Sequence, residues 1–198
     1  MKVLVAMVIA SLSLAACVHE VAAPVAAPIL EGMWRSAEPE PLPGASAVTN
    51  YLVRDFSFSG DRWTIDFTIY ADAQRSRPTL SGRNSGTFRL SPARDGVSNA
   101  EFDMEQRTLT PRTAAMAEAL TAAGCGSDKW TVDAAQSVAE KGCRAFRVFS
   151  RETCEREYDV VRVERERLFL GARPADGFMC SPDRRPGTTG TGALIRAR

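Results

Sequence analysis

Histidine and cysteine carry much of the chemistry that small proteins perform, and this chain has few of either. Among its 198 residues there are one histidine, His19, and five cysteines. His19 lies near the N-terminus, in an Ala/Pro/Val-rich stretch that offers no packed wall to orient an imidazole. Ser-His-Asp and Cys-His catalysis, His-ligated zinc and haem bound through histidine therefore lack their histidine in the rest of the chain.

The first cysteine, Cys17, follows a segment that is typical of export signals. Met1 and Lys2 form a short positive start, and an apolar run from Val3 to Leu14 is too short to span a bilayer. The sequence LAAC at 14–17 resembles the lipobox of bacterial lipoproteins. That resemblance implies cleavage before Cys17 and its acylation with palmitate or similar chains, which anchor a protein stably to a membrane. A plain secretory signal followed by a coincidental cysteine is the alternative.

The lipobox also predicts the domain organisation and the location. Residues 1–16 are expected to be the signal peptide, residues 17–31 the lipidated cysteine with a flexible tether, and residues 32–198 a single domain. Val18 rather than Asp follows Cys17, which favours the outer membrane. We therefore expect a protein of the bacterial cell envelope that is lipid-anchored and faces the periplasm.

Four cysteines remain in the predicted domain: Cys125, Cys143, Cys154 and Cys180. An even number of cysteines in an oxidising compartment predicts disulfide bonds. Their spacing contains no C-x-x-C pair, which argues against a zinc site and against a redox-active thiol. The spacing alone leaves three pairings open.

The charged residues point away from several other functions. Lys and Arg number 25 and Asp and Glu 24, so there is no cationic excess to bind nucleic acid. Asp66, Asp103 and Glu105 lie on predicted strands and could provide a carboxylate pair for acid–base work, although outward-facing solvated charges explain them equally well. No nucleophile motif accompanies them. We expect no enzymatic activity, no cofactor and no metal.

Alternating apolar and polar residues predict a mainly β fold. Trp63 to Ile69 has one wholly apolar face at a period of two, and a similar run from Leu52 to Phe58 precedes it across a Ser-Gly-Asp turn. Further strands are predicted at 79–90, 101–109, 129–132, 144–149, 158–163, 167–170 and 193–195. One helix is predicted from Pro111 to Ala123 with Thr110 as its N-cap, and residues 133–140 stay open between a second helix and a strand edge.

A series of short landmarks runs along the chain from about residue 32 to residue 189. The landmarks are Gly32-Met33-Trp34-Arg35-Ser36, residues 52–58 with Trp63, Tyr70-Ala71-Asp72 before Pro78-Thr79, Leu109-Thr110-Pro111, Cys125-Gly126 with Trp130, Gly142-Cys143, Glu157-Tyr158, residues 168–171, Arg173-Pro174-Ala175-Asp176-Gly177 and Ser181-Pro182-Asp183-Arg184. Their order and spacing resemble the domain of the adenomatosis polyposis coli down-regulated proteins, which are secreted or membrane-anchored Wnt inhibitors of animals.

The resemblance implies an antiparallel β-barrel or half-barrel, lipocalin-like, with one or two short helices and an apolar cavity that accepts a lipid acyl chain. It also implies a disulfide between Cys125 and Cys143, which leaves Cys154 and Cys180 for each other. The chain departs from the family where Glu38 and Arg75 stand in place of a further cysteine pair, and it carries one copy of the domain instead of two. The resemblance therefore transfers the fold and the lipid cavity but not the signalling role.

These observations lead to one favoured function and two alternatives. The favoured one is a lipid-anchored envelope protein that binds a fatty acyl chain or lipid without transforming it. The residues predicted to bind the ligand are Phe56, Phe58, Trp63, Ile65, Phe67, Ile69, Phe88 and Trp130. The first alternative is a structural or protein-interaction lipoprotein whose core is filled, as small barrels usually are. A hydrolase is the second, and the sequence names no protein partner for any of the three.

Overall fold

The structure is a computed structural model that describes residues 25–42, 49–126 and 129–197. The predicted signal peptide, the lipidation site Cys17 and His19 lie outside the described residues. The cysteines of the predicted domain and all eight predicted ligand-binding residues lie inside them.

Eleven strands, one α-helix and two short 3-10 helices make up the described chain. The strands are β1 (Gly32–Ser36), β2 (Glu40–Leu42), β3 (Asn50–Ser59), β4 (Arg62–Tyr70), β5 (Pro78–Leu90), β6 (Ser98–Asp103), β7 (Gln106–Pro111), β8 (Gln136–Ser137), β9 (Arg156–Glu164), β10 (Arg167–Gly171) and β11 (Thr189–Arg196). The helix α1 spans Ala114–Ala122, and the 3-10 helices span Arg144–Phe146 and Pro182–Arg184.

Eight of the strands close into an antiparallel barrel. Their order around the ring is β3, β1, β11, β10, β9, β6, β5 and β4, and β4 pairs again with β3. Closure removes the exposed strand edges that an open sheet would present. The predicted mainly β fold with an antiparallel barrel is confirmed.

The remaining strands β2, β7 and β8 extend the sheet beyond the ring. Strand β5 is long enough to pair with β7 over residues 80–85 and with β6 over its last three residues, 88–90. Strands β6 and β7 lie along the same edge of β5 and are separated by Met104 and Glu105. Gly86 on β5 lies opposite this gap. A Cβ atom at Gly86 would overlap the carbonyl oxygen of Asp103, so only glycine permits this close approach.

Two hydrophobic clusters fill the fold. The barrel cluster lies inside the ring and consists of Leu30, Trp34, Phe56, Phe58, Trp63, Ala100, Phe102, Met104, Val161, Leu168, Leu170 and Leu194. The helix cluster lies where α1 packs on the β5–β7 extension, and it consists of Leu80, Leu109, Ala117, Leu120, Cys125, Trp130, Val138 and Cys143. The side chains of Phe67 and Ile69 on β4 pack against the helix cluster, so the two clusters share the inner face of that strand.

The segment from Val25 to Leu30, which precedes β1, closes one end of the barrel. Val25 forms an antiparallel bridge with Ala93 in the loop between β5 and β6. Leu30 is only 2% exposed in the barrel cluster, and its carbonyl oxygen accepts a hydrogen bond from Nε1 of Trp34 at 2.7 Å. At the same end the guanidinium of Arg196 stacks 4.5 Å above the Trp34 ring. Packing thus begins within the segment that the sequence assigned to the tether.

Two disulfide bonds join the four cysteines of the domain. Cys125 pairs with Cys143 and Cys154 pairs with Cys180, with Cα–Cα distances of 4.6 Å and 5.0 Å. This is the pairing that the family resemblance implied. The first bridge ties the residues after α1 to the first 3-10 helix, and the second ties the start of β9 to the loop between β10 and β11.

The predicted start of the helix is wrong by three residues. Strand pairing with β5 continues through Pro111, which lies opposite Leu80, so Pro111 ends β7 and does not begin the helix. Thr113 is the N-cap, and its hydroxyl accepts a hydrogen bond from the backbone N–H of Met116 at 3.2 Å.

Two of the predicted strands are also wrong. Residues 129–132 form no strand, because Trp130 inserts into the helix cluster from an irregular segment. Residues 144–149 contain the 3-10 helix Arg144–Phe146 instead, followed by Arg147 with a φ of 57°, a left-handed conformation that interrupts any strand.

Candidate ligand-binding site

Aromatic side chains fill the barrel near the end that Leu30 closes. Phe56, Phe58 and Trp63 are almost fully buried there. The rings of Phe58 and Phe88 lie edge to face at 5.0 Å, and those of Trp63 and Phe102 at 5.1 Å. Such pairs add stability beyond the area they bury. This half of the barrel is therefore a packed core.

The other half of the inner wall keeps apolar side chains that are only partly buried. On β4 the residues Ile65, Phe67 and Ile69 continue the inward face that Trp63 begins, because side chains two positions apart share a face. Leu52 lies opposite Ile69 on β3 and is also partly exposed. We call Leu52, Ile65, Phe67 and Ile69 the inner stripe. Its side chains lie towards the end of the barrel away from Leu30 and are partly buried, with Phe67 and Ile69 packed against the helix cluster.

Gly82 makes room for one side chain of the inner stripe. The ring of Phe67 lies directly over Gly82 on β5, where a Cβ atom would overlap it. Small side chains at such positions allow a bulky neighbour on the adjacent strand to lie across the backbone. The orientation of Phe67 therefore depends on its cross-strand neighbour as much as on β4 itself.

A polar cluster borders the inner stripe on the side of β1 and β3. Both guanidinium nitrogens Nε and Nη2 of Arg54 donate to the Glu40 carboxylate, at 2.9 Å and 2.7 Å. The hydroxyl of Ser36 donates to the same carboxylate at 2.9 Å. Gly192 on β11 leaves the space that the carboxylate of Glu40 occupies. A bidentate pair of this kind fixes an arginine in one orientation inside the wall.

A second polar cluster, formed by Arg107, Glu157, Asp159 and Arg173, borders the barrel interior on the side of β7 and β9. The Arg107 side chain is 3% exposed, and its Nη1 donates to the carbonyl oxygen of Phe149 at 2.7 Å. Its Nη2 lies 3.6 Å from Oε1 of Glu157, while Arg173 donates from Nη2 to the other oxygen of Glu157 at 2.8 Å. Within the described residues, Nε and Nη2 of Arg107 donate to no hydrogen-bond acceptor.

The pKa values of the two carboxyl groups in this cluster shift in opposite directions. Burial would raise the pKa of Glu157, but the charges of Arg173 and Arg107 outweigh it and hold the pKa below its usual value. Burial raises the pKa of Asp159, against the opposing charge of Arg173. The Asp159 Oδ1 atom accepts hydrogen bonds from the backbone N–H groups of Val160 and Gly171 at 2.7 Å and 2.9 Å. Glu157 is thus the charged partner of the arginines, and Asp159 is the group that favours its neutral form.

The structure divides the eight predicted ligand-binding residues among three places. Phe56, Phe58, Trp63 and Phe88 lie in the aromatic half of the barrel, and Ile65, Phe67 and Ile69 lie in the inner stripe. Trp130 lies apart from the barrel interior, in the helix cluster, where its Nε1 donates to the Cys125 carbonyl oxygen at 2.7 Å. The ligand-binding role of these residues stays a prediction.

Sequence reasoning missed the polar residues that border the stripe. The signal that could have found them is position: Arg54 shares its strand face with Leu52, Phe56 and Phe58, and Arg107 shares its face with Leu109. A charged residue on the apolar face of an alternating strand must be paired in the interior, because an unpaired buried charge is too costly.

The three carboxylates considered for acid–base work lie in ion pairs with arginine. Asp66 accepts two hydrogen bonds from Arg83, at 2.6 Å and 2.8 Å, and Glu105 accepts two from Arg62. Asp103 pairs with an arginine on β9 at 2.6 Å, which helps hold its pKa below the usual value against the effect of burial. These contacts are those of outer-surface charges that bridge neighbouring strands.

The described residues contain neither a metal-binding cluster nor a helix able to span a membrane. In residues 25–42, 49–126 and 129–197, no group of His, Cys, Asp and Glu side chains is arranged to hold a metal ion. The same ranges contain no helix with the length and apolar character needed to cross a bilayer.

The chain matches no protein-family model and no curated protein. The resemblance to the Wnt-inhibitor domains therefore rests on the landmarks quoted from the sequence.

Proposed function

We propose that the protein is a lipid-anchored bacterial envelope protein that binds the apolar chain of a fatty acid or lipid along the inner stripe. The observation that carries this proposal is that Leu52, Ile65, Phe67 and Ile69 face inward but are only partly buried. Small barrels usually fill their interior with side chains, as the aromatic half does here. An inward apolar surface that stays accessible is a surface that a ligand can cover.

The borders of the stripe suit an amphiphilic ligand. An acyl chain laid along β4 would have the Arg54–Glu40 pair on one side and the Arg107–Glu157 pair on the other. Hydrogen bonds within the first pair fix Arg54, and a hydrogen bond from Arg173 fixes Glu157, so both carboxylates are positioned before a polar head arrives. The buried aromatic half stops the chain from passing through the barrel. The ligand would therefore enter and leave by the end away from Leu30.

Binding is tested with the chain from residue 17 onwards carrying Cys17→Ser, exported so that its disulfides form. Native mass spectrometry should show a co-purified lipid, and a fluorescent fatty acid should bind saturably. The double variant Ile65→Thr/Ile69→Thr keeps the branch at Cβ but shortens both side chains and makes the stripe polar, and we expect its affinity to fall about tenfold. Thr64→Val on the outer face of β4 is the matched control and should bind like the parent chain. A parent chain that carries no lipid and ignores the fatty acid would overturn the proposal.

The anchor is tested separately. Cells grown with labelled palmitate should incorporate the label into the full chain and not into its Cys17→Ser variant. Equal labelling of both would place the acyl chains elsewhere.

One observation favours the alternative, an interaction lipoprotein with a filled core. Ile29 is 80% exposed, and Met33 and Ile195 are about half exposed on adjoining strands of the outer surface. Exposed apolar side chains that lie together mark interaction surfaces. A loss of partner binding on Met33→Ser/Ile195→Ser, in a chain that takes up no fatty acid, would favour this alternative over ligand binding.

A further inference from the structure

We propose a second binding site outside the barrel, for a small organic anion that carries a ring or another flat apolar body. The site is a cleft of about 380 Å³ lined by Arg144, Phe149, Asp176 and Phe178. It lies between the segment that follows the Cys125–Cys143 bridge and the loop between β10 and β11. This inference does not depend on ligand binding at the inner stripe.

Two arginines, the buried Arg107 and the half-exposed Arg173, hold the walls of the cleft in place. Arg107 donates to the carbonyl oxygen of Phe149 at 2.7 Å, behind one wall. Arg173 donates from Nη1 to the carbonyl oxygen of Gly177 at 3.1 Å, behind the other. The two disulfides end within two residues of the lining, at Cys143 and Cys180. A cleft fixed in this way loses little conformational freedom when a ligand binds.

The two phenylalanines provide the apolar part of the site. Their ring centroids are 5.1 Å apart and the ring planes are nearly perpendicular, at 87°. Both side chains line the cleft and are only partly buried. A ring or flat apolar group can stack on this pair, since aromatic side chains prefer edge-to-face or offset neighbours.

The charge of the cleft favours an anion. Asp176 is already engaged, because its carboxylate accepts hydrogen bonds from Arg184 and from the backbone N–H of Phe178, which hold its pKa below the usual value. Arg144 lines the cleft, and the side chain of Arg147 lies across Gly177 at its rim. Neither arginine has an ion-pair partner within the residues that the structure describes. Two exposed guanidinium groups beside a neutralised carboxylate leave the cleft positive, and guanidinium binds carboxylate or phosphate through paired hydrogen bonds.

The shared chemistry is an anionic group attached to a ring. A ring-bearing phosphate and a ring-bearing carboxylate both fit this description, and two probes, phenyl phosphate and benzoate, distinguish them. Benzyl alcohol provides the ring without the charge, and inorganic phosphate provides the charge without the ring. Each is titrated into the folded chain carrying Cys17→Ser, and binding is followed through the backbone amide resonances of residues 144–149 and 176–178.

We expect at least one ring-bearing anion to bind saturably, and both benzyl alcohol and inorganic phosphate to bind at least tenfold more weakly. Arg144→Gln should weaken binding about tenfold, and Phe178→Leu should weaken it while leaving the fold intact. Lys141→Gln removes an exposed cation three residues away that does not line the cleft, so its affinity should match that of the parent chain. Resonance shifts confined to the inner stripe, or equal losses in Arg144→Gln and Lys141→Gln, would overturn the proposal. So would the absence of saturable binding by either ring-bearing anion.

Discussion

Nη1 of Arg107 lies 2.7 Å from the carbonyl oxygen of Phe149, so a charge buried on β7, beside the barrel, supports a loop on the outside. The same guanidinium faces Glu157, which in turn pairs with Arg173. The stability of the barrel wall and the geometry of the cleft are thereby linked through one side chain.

Replacing Arg107 should destabilise the protein strongly. Arg107→Met keeps most of the side-chain volume but leaves Glu157 with one cationic neighbour fewer, and removing one member of a buried ion pair costs about 3–5 kcal/mol. Urea unfolding measures the loss. In a Glu157→Gln background the same substitution should lower the free energy of unfolding clearly less, because residue 157 is then neutral and needs no cationic partner. Equal losses in both backgrounds would show that the two side chains are not coupled.

Asp159→Asn should change how stability depends on pH. The pKa of Asp159 is raised in the folded state, so the folded state binds this proton more tightly than the unfolded chain does. The resulting stabilisation is present at low pH and is lost as the pH rises through the raised pKa. Asparagine stays neutral and keeps the oxygen that accepts hydrogen bonds from Val160 and Gly171.

We therefore expect Asp159→Asn to be more stable than the parent chain at pH 7. This advantage should shrink towards about pH 4, near the pKa of an unperturbed aspartate. Thermal unfolding at a series of pH values measures it. An advantage of the same size at every pH would contradict the role assigned to burial.

Gly86→Ala should disrupt the break between β6 and β7. The new Cβ atom would overlap the backbone carbonyl of Asp103, which cannot move without disturbing the pairing on both sides. Overpacking of this kind typically costs about 1–3 kcal/mol. Gly187→Ala is the matched control, because open space surrounds that position, and it should change the stability by less than about 0.5 kcal/mol. Similar effects at both positions would contradict the close approach at Gly86.

Removing the Cys125–Cys143 bridge should loosen the helix cluster more than the barrel. The bridge closes a loop with a sequence separation of 18, which corresponds to about 3 kcal/mol from the lost freedom of the unfolded chain. In Cys125→Ala/Cys143→Ala, amide hydrogen exchange should accelerate in α1 and around Trp130. The amides of β3 and β4, which pair along their whole length, should stay protected. Uniform acceleration across the chain would show that the two clusters unfold as one unit.

The strands that the sequence predicted best are those with one apolar face against the barrel core. The runs around Phe56 and Trp63 alternate cleanly, and β3 and β4 pair over nine positions. Residues 101–109 were predicted as one strand and prove to be parts of β6 and β7, because nothing local to this run reveals its contact with Gly86. The start of α1 was misplaced for a related reason, since the pairing of Pro111 with Leu80 is a long-range contact.

The candidate sites were harder to predict than the fold. Alternation predicted that Ile65, Phe67 and Ile69 face inward. How much of each side chain stays exposed depends on the side chains that other strands contribute to the barrel interior. The cleft is built from two segments about thirty residues apart, and one of them was predicted as a strand. Only the tertiary structure brings Phe149 beside Phe178.

The closure of one barrel end by Leu30 sets a direction for the whole molecule. Seven residues lie between Cys17 and Val25, and the eight residue steps that join the two span at most about 28 Å. With acyl chains on Cys17, the sealed end would be the one held near the bilayer, and the inner stripe would lie towards the opposite end of the barrel. Such an orientation suits exchange of cargo with a soluble carrier or another membrane better than direct withdrawal of lipid from the membrane that holds the anchor.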